Sequence, residues 1–491
     1  MDEDEDFIKG HVMRKALLYF IFCAGFFSIL CINAFCQSEG DFEKLYQKIE
    51  QNKDRHIAFL QRLIQAQKGG EETVQALVAK KFESLGCVVE TLRIKPASLK
   101  FKYQFAAEDA IPDKKRISVV GKYPGSQNGR SLLMFAHPDS EDVKSTEKWT
   151  YDPFAGEIDK GKIYGWGVAD DLSGVAVMTE ALSALLAAGH VPGGDVILCS
   201  TPAKKNAQGV IALLSRGYVA DASIYLHPAE SGVGMREIKA IASGLLQFRI
   251  KVAGQVPNTT EPGKTAFAHL GINPIIKADK IIQALQKLDA ARGKKVHHKA
   301  LDDRVGRSTN LLVSYIASGS ENSLTQIPDE CTIGSSLTFP PGEKLETVKK
   351  EIEDCITDVV NKDAWLKEHP PVFEWIFGSQ GVEVPVDHPL YQTVSGAIEE
   401  VIGEEPFVNP LHSASDIRNP NLFAGIPTVG YGPLGGNLSQ NGKHDEWVDV
   451  SDYIRAIKIT ARAILEWGKA NKSRSLSEVS GDVERNHLEI R

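Results

Sequence analysis

The chain has 491 residues, 42% apolar and 24% charged, a balance that excludes a disordered or fibrous protein and leaves room for two to four domains. A net charge of −8, with no Lys/Arg run interleaved with aromatics, excludes nucleic acid as an expected partner. Beyond the N-terminal segment the cysteines are Cys87, Cys199, Cys331 and Cys355, scattered without CxxC spacing, which excludes a zinc ribbon or disulfide scaffold.

In chain order, residues 16–36 are uncharged and apolar, follow Arg14-Lys15 and give way to a polar stretch at Gln37. They read as a secretory signal peptide over 1–36, with Met13 as an alternative start. An exported, periplasmic or extracellular protein is therefore expected. The alternative is an uncleaved anchor that would tie the chain to a membrane. Apolar residues at three and four spacing then predict helices from Asp41 to Leu85, broken at Gly69-Gly70. Apolar runs around 87–94, 117–123, 131–139, 195–202 and 222–228 alternate with helical stretches. That pattern predicts an α/β fold whose mostly parallel sheet carries helices on both faces.

Near Met235 the character changes. Period-two strands at 245–254, 308–317 and 329–339, with helices after Pro274 and over 343–361, predict an inserted two-layer α+β lid domain. The expected division is 37–238 and 365–470 for the catalytic domain and 239–364 for the insert. Pro370–Ile376 is read as the first domain resuming, and the polar tail 471–491 as disordered.

Four features fall at apparent strand ends: His137 with Asp139, the pair Asp170-Asp171 before a helix, His227 with Glu230, and His444 in a Gly-rich approach to the last helix. Imidazoles and carboxylates are the ligands of a borderline-soft cation such as Zn²⁺. Asp139 suits the role of orienting a ligand histidine. Singly, each has a plainer explanation: a lone histidine is usually structural, and Asp-Asp before a helix is usually a cap. Together, at matching strand ends, they predict a metal site.

From roughly Asp41 to Lys469 the chain resembles the zinc aminoacylase and carboxypeptidase family, the acetylornithine deacetylase, succinyl-diaminopimelate desuccinylase and glutamate carboxypeptidase type. The resemblance implies that His137, Asp170 and His227 hold the first metal, with Glu230 as an alternative ligand, and that His444 serves a second. It implies that Asp139 orients its histidine, that His269 steadies an oxyanion in the neighbouring subunit's site, and that Arg418 clamps a substrate carboxylate. Gly435 and Gly436 would let backbone approach the ligand. A homodimer through the inserted domain is also implied.

The chain departs from that family at Ser200–Val210, where the family's catalytic Glu-Glu aligns with Lys204 and Lys205. An ammonium offers no lone pair to a metal, and its charge repels a second dication. The expectation is one zinc ion, with two ions, or cobalt or manganese, as weaker alternatives. Lys204 is the candidate base, by the route in which a desolvated lysine beside another cation loses its proton. Thr325 and Ser336-Leu337-Thr338 also depart from family positions. The expected activity is hydrolysis of amide bonds in N-acyl amino acids or short peptides bearing a carboxylate. The alternative is an inactive exported binding protein on the same fold.

Overall fold

The computed structural model describes residues 42–95, 98–99, 103–106, 116–138, 146–202, 208–228, 231–410, 415–436 and 444–470. Residues 1–41, the tail from 471, Asp139, Lys204, Lys205 and Glu230 lie outside them. Among the described residues no helix is long and apolar enough to cross a membrane.

The predicted N-terminal helices form over 42–51, Lys53–Ala66 and Glu71–Ser84. Ile57, Leu60 and Ile64 recur at helical spacing and are buried, as the periodicity requires. They pack toward the helix Ser173–Ala187, which is buried through most of its length. Glu180 sits in the middle of that helix and is held by His56 Nδ1 at 2.5 Å and Lys81 Nζ at 2.8 Å. Burial pushes the Glu180 carboxyl up, but the two basic partners outweigh it and leave it below the ordinary glutamate value.

The first sheet has six strands, in the order Val88–Ile94, Arg116–Tyr123, Val196–Ser200, Leu132–Ala136, Ala222–Leu226 and Thr428–Tyr431. The first two ladders are antiparallel and the other three parallel. Its central strands read LLMFA, VILCS and ASIYL with every residue buried, because helices cover both faces. Alternation sorts them: Leu132, Met134 and Ala136 face one core, Leu133 and Phe135 the other. In the same way Ile224 faces the first core, while Tyr225 faces the second with Ile417 and Leu422.

The second sheet is antiparallel, in the order Asn310–Ser318, Glu330–Phe339, Gly244–Ala253, Val372–Ser379 and Gln104–Ala106. Helices Pro274–Lys295 and Leu345–Val360 bury Ile281, Leu285 and Ile352 against Leu246, Phe248 and Ile250. The expected two-layer insert is therefore present, but it runs past residue 364. Val372–Ser379, expected to rejoin the first sheet, pairs with Gly244–Ala253 instead. Phe248 draws it there, packing against Trp375, which stacks on Phe373, with ring centroids 5.4 Å apart in both pairs.

Candidate metal centre

Strand alternation carries one step beyond the strand ends and sets the site. His137 continues the row of Leu133 and Phe135, and His227 that of Tyr225, so both imidazoles project from one face at the C-terminal ends of neighbouring parallel strands. Asp170 comes from the turn Val168–Leu172, immediately before helix Ser173–Ala187. Its Oδ1 lies 3.0 Å from His227 Nε2 and 3.3 Å from His137 Nε2. One ligand atom from each of His137, Asp170 and His227 lies within 4.8 Å of the others. The imidazoles are buried and the carboxylate half-buried.

These separations suit a cation. Two ligands about 2.0–2.1 Å from a tetrahedral zinc stand roughly 3.3 Å apart. Two imidazole nitrogens and a carboxylate also form a donor set that zinc accepts. The first predicted site is thus brought together in space by residues that are far apart in sequence.

The surrounding groups hold the three donors in place. Glu446 is fully buried, and its carboxylate accepts from the N–H of Ala169 at 2.7 Å, Asp170 at 3.0 Å and Gly167 at 3.1 Å, gripping the turn that presents Asp170. Asp171 Oδ2 accepts from the His137 N–H at 3.4 Å. Gly174 permits that close fit, since a Cβ there would lie 1.9 Å from the Leu226 carbonyl oxygen. On the far side of His227, buried Lys239 places Nζ 2.9 Å from Nδ1 and donates to the carbonyls of Pro228 at 2.7 Å and His227 at 3.2 Å. Two proton placements satisfy this arrangement. An ammonium donating to Nδ1 leaves the ring proton on Nε2, whereas an amine accepting from Nδ1–H frees the Nε2 lone pair for a cation.

Gly435 packs between the two ligand-bearing loops; a Cβ there would lie 2.9 Å from Ala169 Cβ and 3.0 Å from Pro228 Cβ. Gly436 takes φ +65°. His444 lies outside the three-residue group, with its ring edge-on to Trp149 at 6.4 Å. His269 is exposed on the short helix Thr265–Leu270 of the insert. Arg418 is buried at the start of helix Arg418–Ala424, 5.6 Å from the ring of Phe377 in the second sheet. Its Nε and Nη1 have no acceptor among the described residues. Burial pushes the guanidinium down from its ordinary value, with Asp416 opposing, so an anionic ligand would further stabilise a charge that Asp416 compensates only in part. Asp139, Glu230, Lys204 and Lys205 fall outside the described residues.

The profile of the peptidase family M20/M25/M40 matches residues 133–466, which span the whole site. The chain belongs to this family. It is 26% identical to the N-formyl-4-amino-5-aminomethyl-2-methylpyrimidine deformylase of Bacillus subtilis, over 87% of this chain and 98% of that protein. Its fold matches human carnosine dipeptidase 1 with a TM-score of 0.60 and 15% identity, covering 87% of this chain and 99% of the other. It also matches the YXEP protein of Bacillus subtilis, a dinuclear metal-binding peptidase of the M20 family, with a TM-score of 0.57 and 15% identity over 86% and 99% of the two chains. The resemblance read from the sequence is thereby confirmed, and with it a metallohydrolase acting on C–N bonds.

Tyr225, Lys239 and Glu446 were missed by the sequence reading. Tyr225 alone carried a usable signal, standing two residues before His227 on the same strand face.

Proposed function

We propose that the chain is an exported hydrolase of amide bonds in N-acyl amino acids or short peptides with a free carboxylate, working with a single divalent cation held by His137, Asp170 and His227. The observation that carries this reading is the convergence of those three side chains at strand ends, with donor separations of 3.0 and 3.3 Å. A bound zinc supplies a Lewis acid and an acidified water at neutral pH.

The remaining tasks belong to the protein. Glu446 and Lys239 fix the donors, and Asp139 is assigned the same task for His137 by its place in the His-x-Asp pair. Arg418, buried with unsatisfied nitrogens, receives the substrate carboxylate. Lys204 takes the place of the family's general base, and with Lys205 disfavours a second dication beside His444. His269 is assigned to the neighbouring subunit's site by the family resemblance. The exposed Leu312, Tyr315 and Ile316 on the edge strand Asn310–Ser318 favour pairing of two inserts. Replacing Leu312 by Arg is expected to give monomers on size exclusion.

The test is hydrolysis of N-acyl amino acids, dipeptides and N-formyl amines by protein of measured zinc content. Formyl amines enter because the deformylase relative acts on one. Turnover of a carboxylate-bearing amide that scales with one zinc per chain supports the reading; binding without turnover identifies a binding protein. The double variant Lys204→Glu, Lys205→Glu is expected to raise zinc content to two. Unchanged content would contradict the place assigned to those lysines. N-terminal sequencing of the secreted protein tests export.

A further inference from the structure

We propose that the hydroxyl of Tyr225 is a fourth protein donor to the cation held by His137, Asp170 and His227; this rests on the metal reading above and adds a residue to it. Tyr225 Oη lies 3.2 Å from His137 Nε2, the same nitrogen that faces Asp170 Oδ1 at 3.3 Å. With the 3.0 Å separation of Asp170 Oδ1 and His227 Nε2, three consecutive donor pairs stand at the spacing of neighbouring ligands on one tetrahedral ion.

The ring is also held where it is. Tyr225 is 2% exposed, stacks on Phe135 at 4.7 Å and lies against His227 with centroids 5.1 Å apart. Phe135 precedes His137 by two residues as Tyr225 precedes His227, so one pair of aromatic rings forms the floor beneath one pair of imidazoles. A phenol has no freedom to turn its oxygen away from that floor without breaking the stack. Bound, the oxygen would be a phenolate, its proton released to solvent as the ion enters, and hard oxygen is a donor zinc accepts beside nitrogen.

The consequence is chemical. Four protein donors make a closed set, the form of a structural zinc site, whereas catalytic zinc keeps one position open. With the Tyr225 oxygen held by its stack, water would enter as a fifth ligand, an expansion that zinc sites permit.

The test replaces Tyr225 by Phe, which keeps the stack and removes only the oxygen, and uses thermal melts of the metal-free proteins to confirm that both fold alike. Zinc affinity is measured by competition with a chromophoric chelator, and geometry from the visible spectrum of the cobalt-loaded proteins. The expected result is wild-type protein with one tight ion and an intense tetrahedral cobalt spectrum. Y225F should bind about 10–100-fold more weakly, with a changed and fainter spectrum. Equal affinity and an identical spectrum would overturn the ligand role while leaving the His-Asp-His site standing. Tighter binding by Y225F would overturn it too, showing that the hydroxyl competes with the cation for His137. Wild-type protein that takes up no ion would refute both the ligand role and the metal reading beneath it.

Discussion

Replacing Glu446 by Gln tests how the protein positions Asp170. The native carboxylate takes two backbone N–H groups on Oε1, from Ala169 and Asp170, and a third on Oε2, from Gly167. Gln can keep the first two as neutral bonds, which are roughly half as strong as charge-assisted ones, at a cost of about 1 kcal/mol each. Its amide group must face the Gly167 N–H, donor against donor, in a site that is fully buried. Losing that bond and stranding the N–H costs about 1–3 kcal/mol more. The sum is about 3–5 kcal/mol, which for a domain of this size corresponds to a fall in Tm on the order of 10 °C. Because the loosened turn carries Asp170, zinc affinity should drop about 10–100-fold as well. Scanning calorimetry with and without zinc reads both effects. A Tm within about 2 °C of wild type with undiminished zinc stabilisation would refute the reasoning.

Other expectations follow from the same structure. Arg418→Ala should lower kcat/KM for a carboxylate-bearing substrate by about 10–150-fold, from about 1.5–3 kcal/mol of charge-assisted bonding, and barely affect the corresponding amide; equal losses on both would remove the clamp role. Gly435→Ala forces a Cβ to within 2.9 Å of Ala169, and a stability loss of about 1–3 kcal/mol in denaturant melts is expected. For Glu180, the folded carboxyl titrates below its ordinary value, so its stabilisation is complete above the unfolded value, about pH 4.3, and fades as pH falls through the depressed one. Glu180→Gln should therefore destabilise strongly at pH 7, by about 3–5 kcal/mol for a broken buried pair, with the gap to wild type narrowing in acid; a gap that widens in acid would reverse the sign of this account.

Much of the architecture was legible because burial leaves a rhythm. The continuous apolar runs at 132–136, 196–200 and 222–226 announced strands covered on both faces, and Gly244–Ala253 announced one covered on a single face. Val372–Ser379 was misplaced because its apolar residues suit either sheet, and only its aromatic contacts to Phe248 decide between them. His137, Asp170 and His227 were legible because they recur together at matching strand ends, although each alone has a plainer use. Glu446 and Lys239 were not, since a lone charged letter reads the same whether it faces water or closes a buried network. Tyr225 was hidden differently: amid apolar neighbours it reads as core, although its place two residues before His227 puts it on the face of that ligand, where its hydroxyl meets His137.

The most direct test of the single-cation site is the metal content of full-length protein dialysed against trace zinc, beside an Asp170→Asn variant. The account predicts one ion per wild-type chain and a loss of tight binding in the variant, because the Asp170 carboxylate lies 3.0 and 3.3 Å from the two imidazole nitrogens. Two ions per wild-type chain, none at all, or a variant that retains its zinc would contradict it.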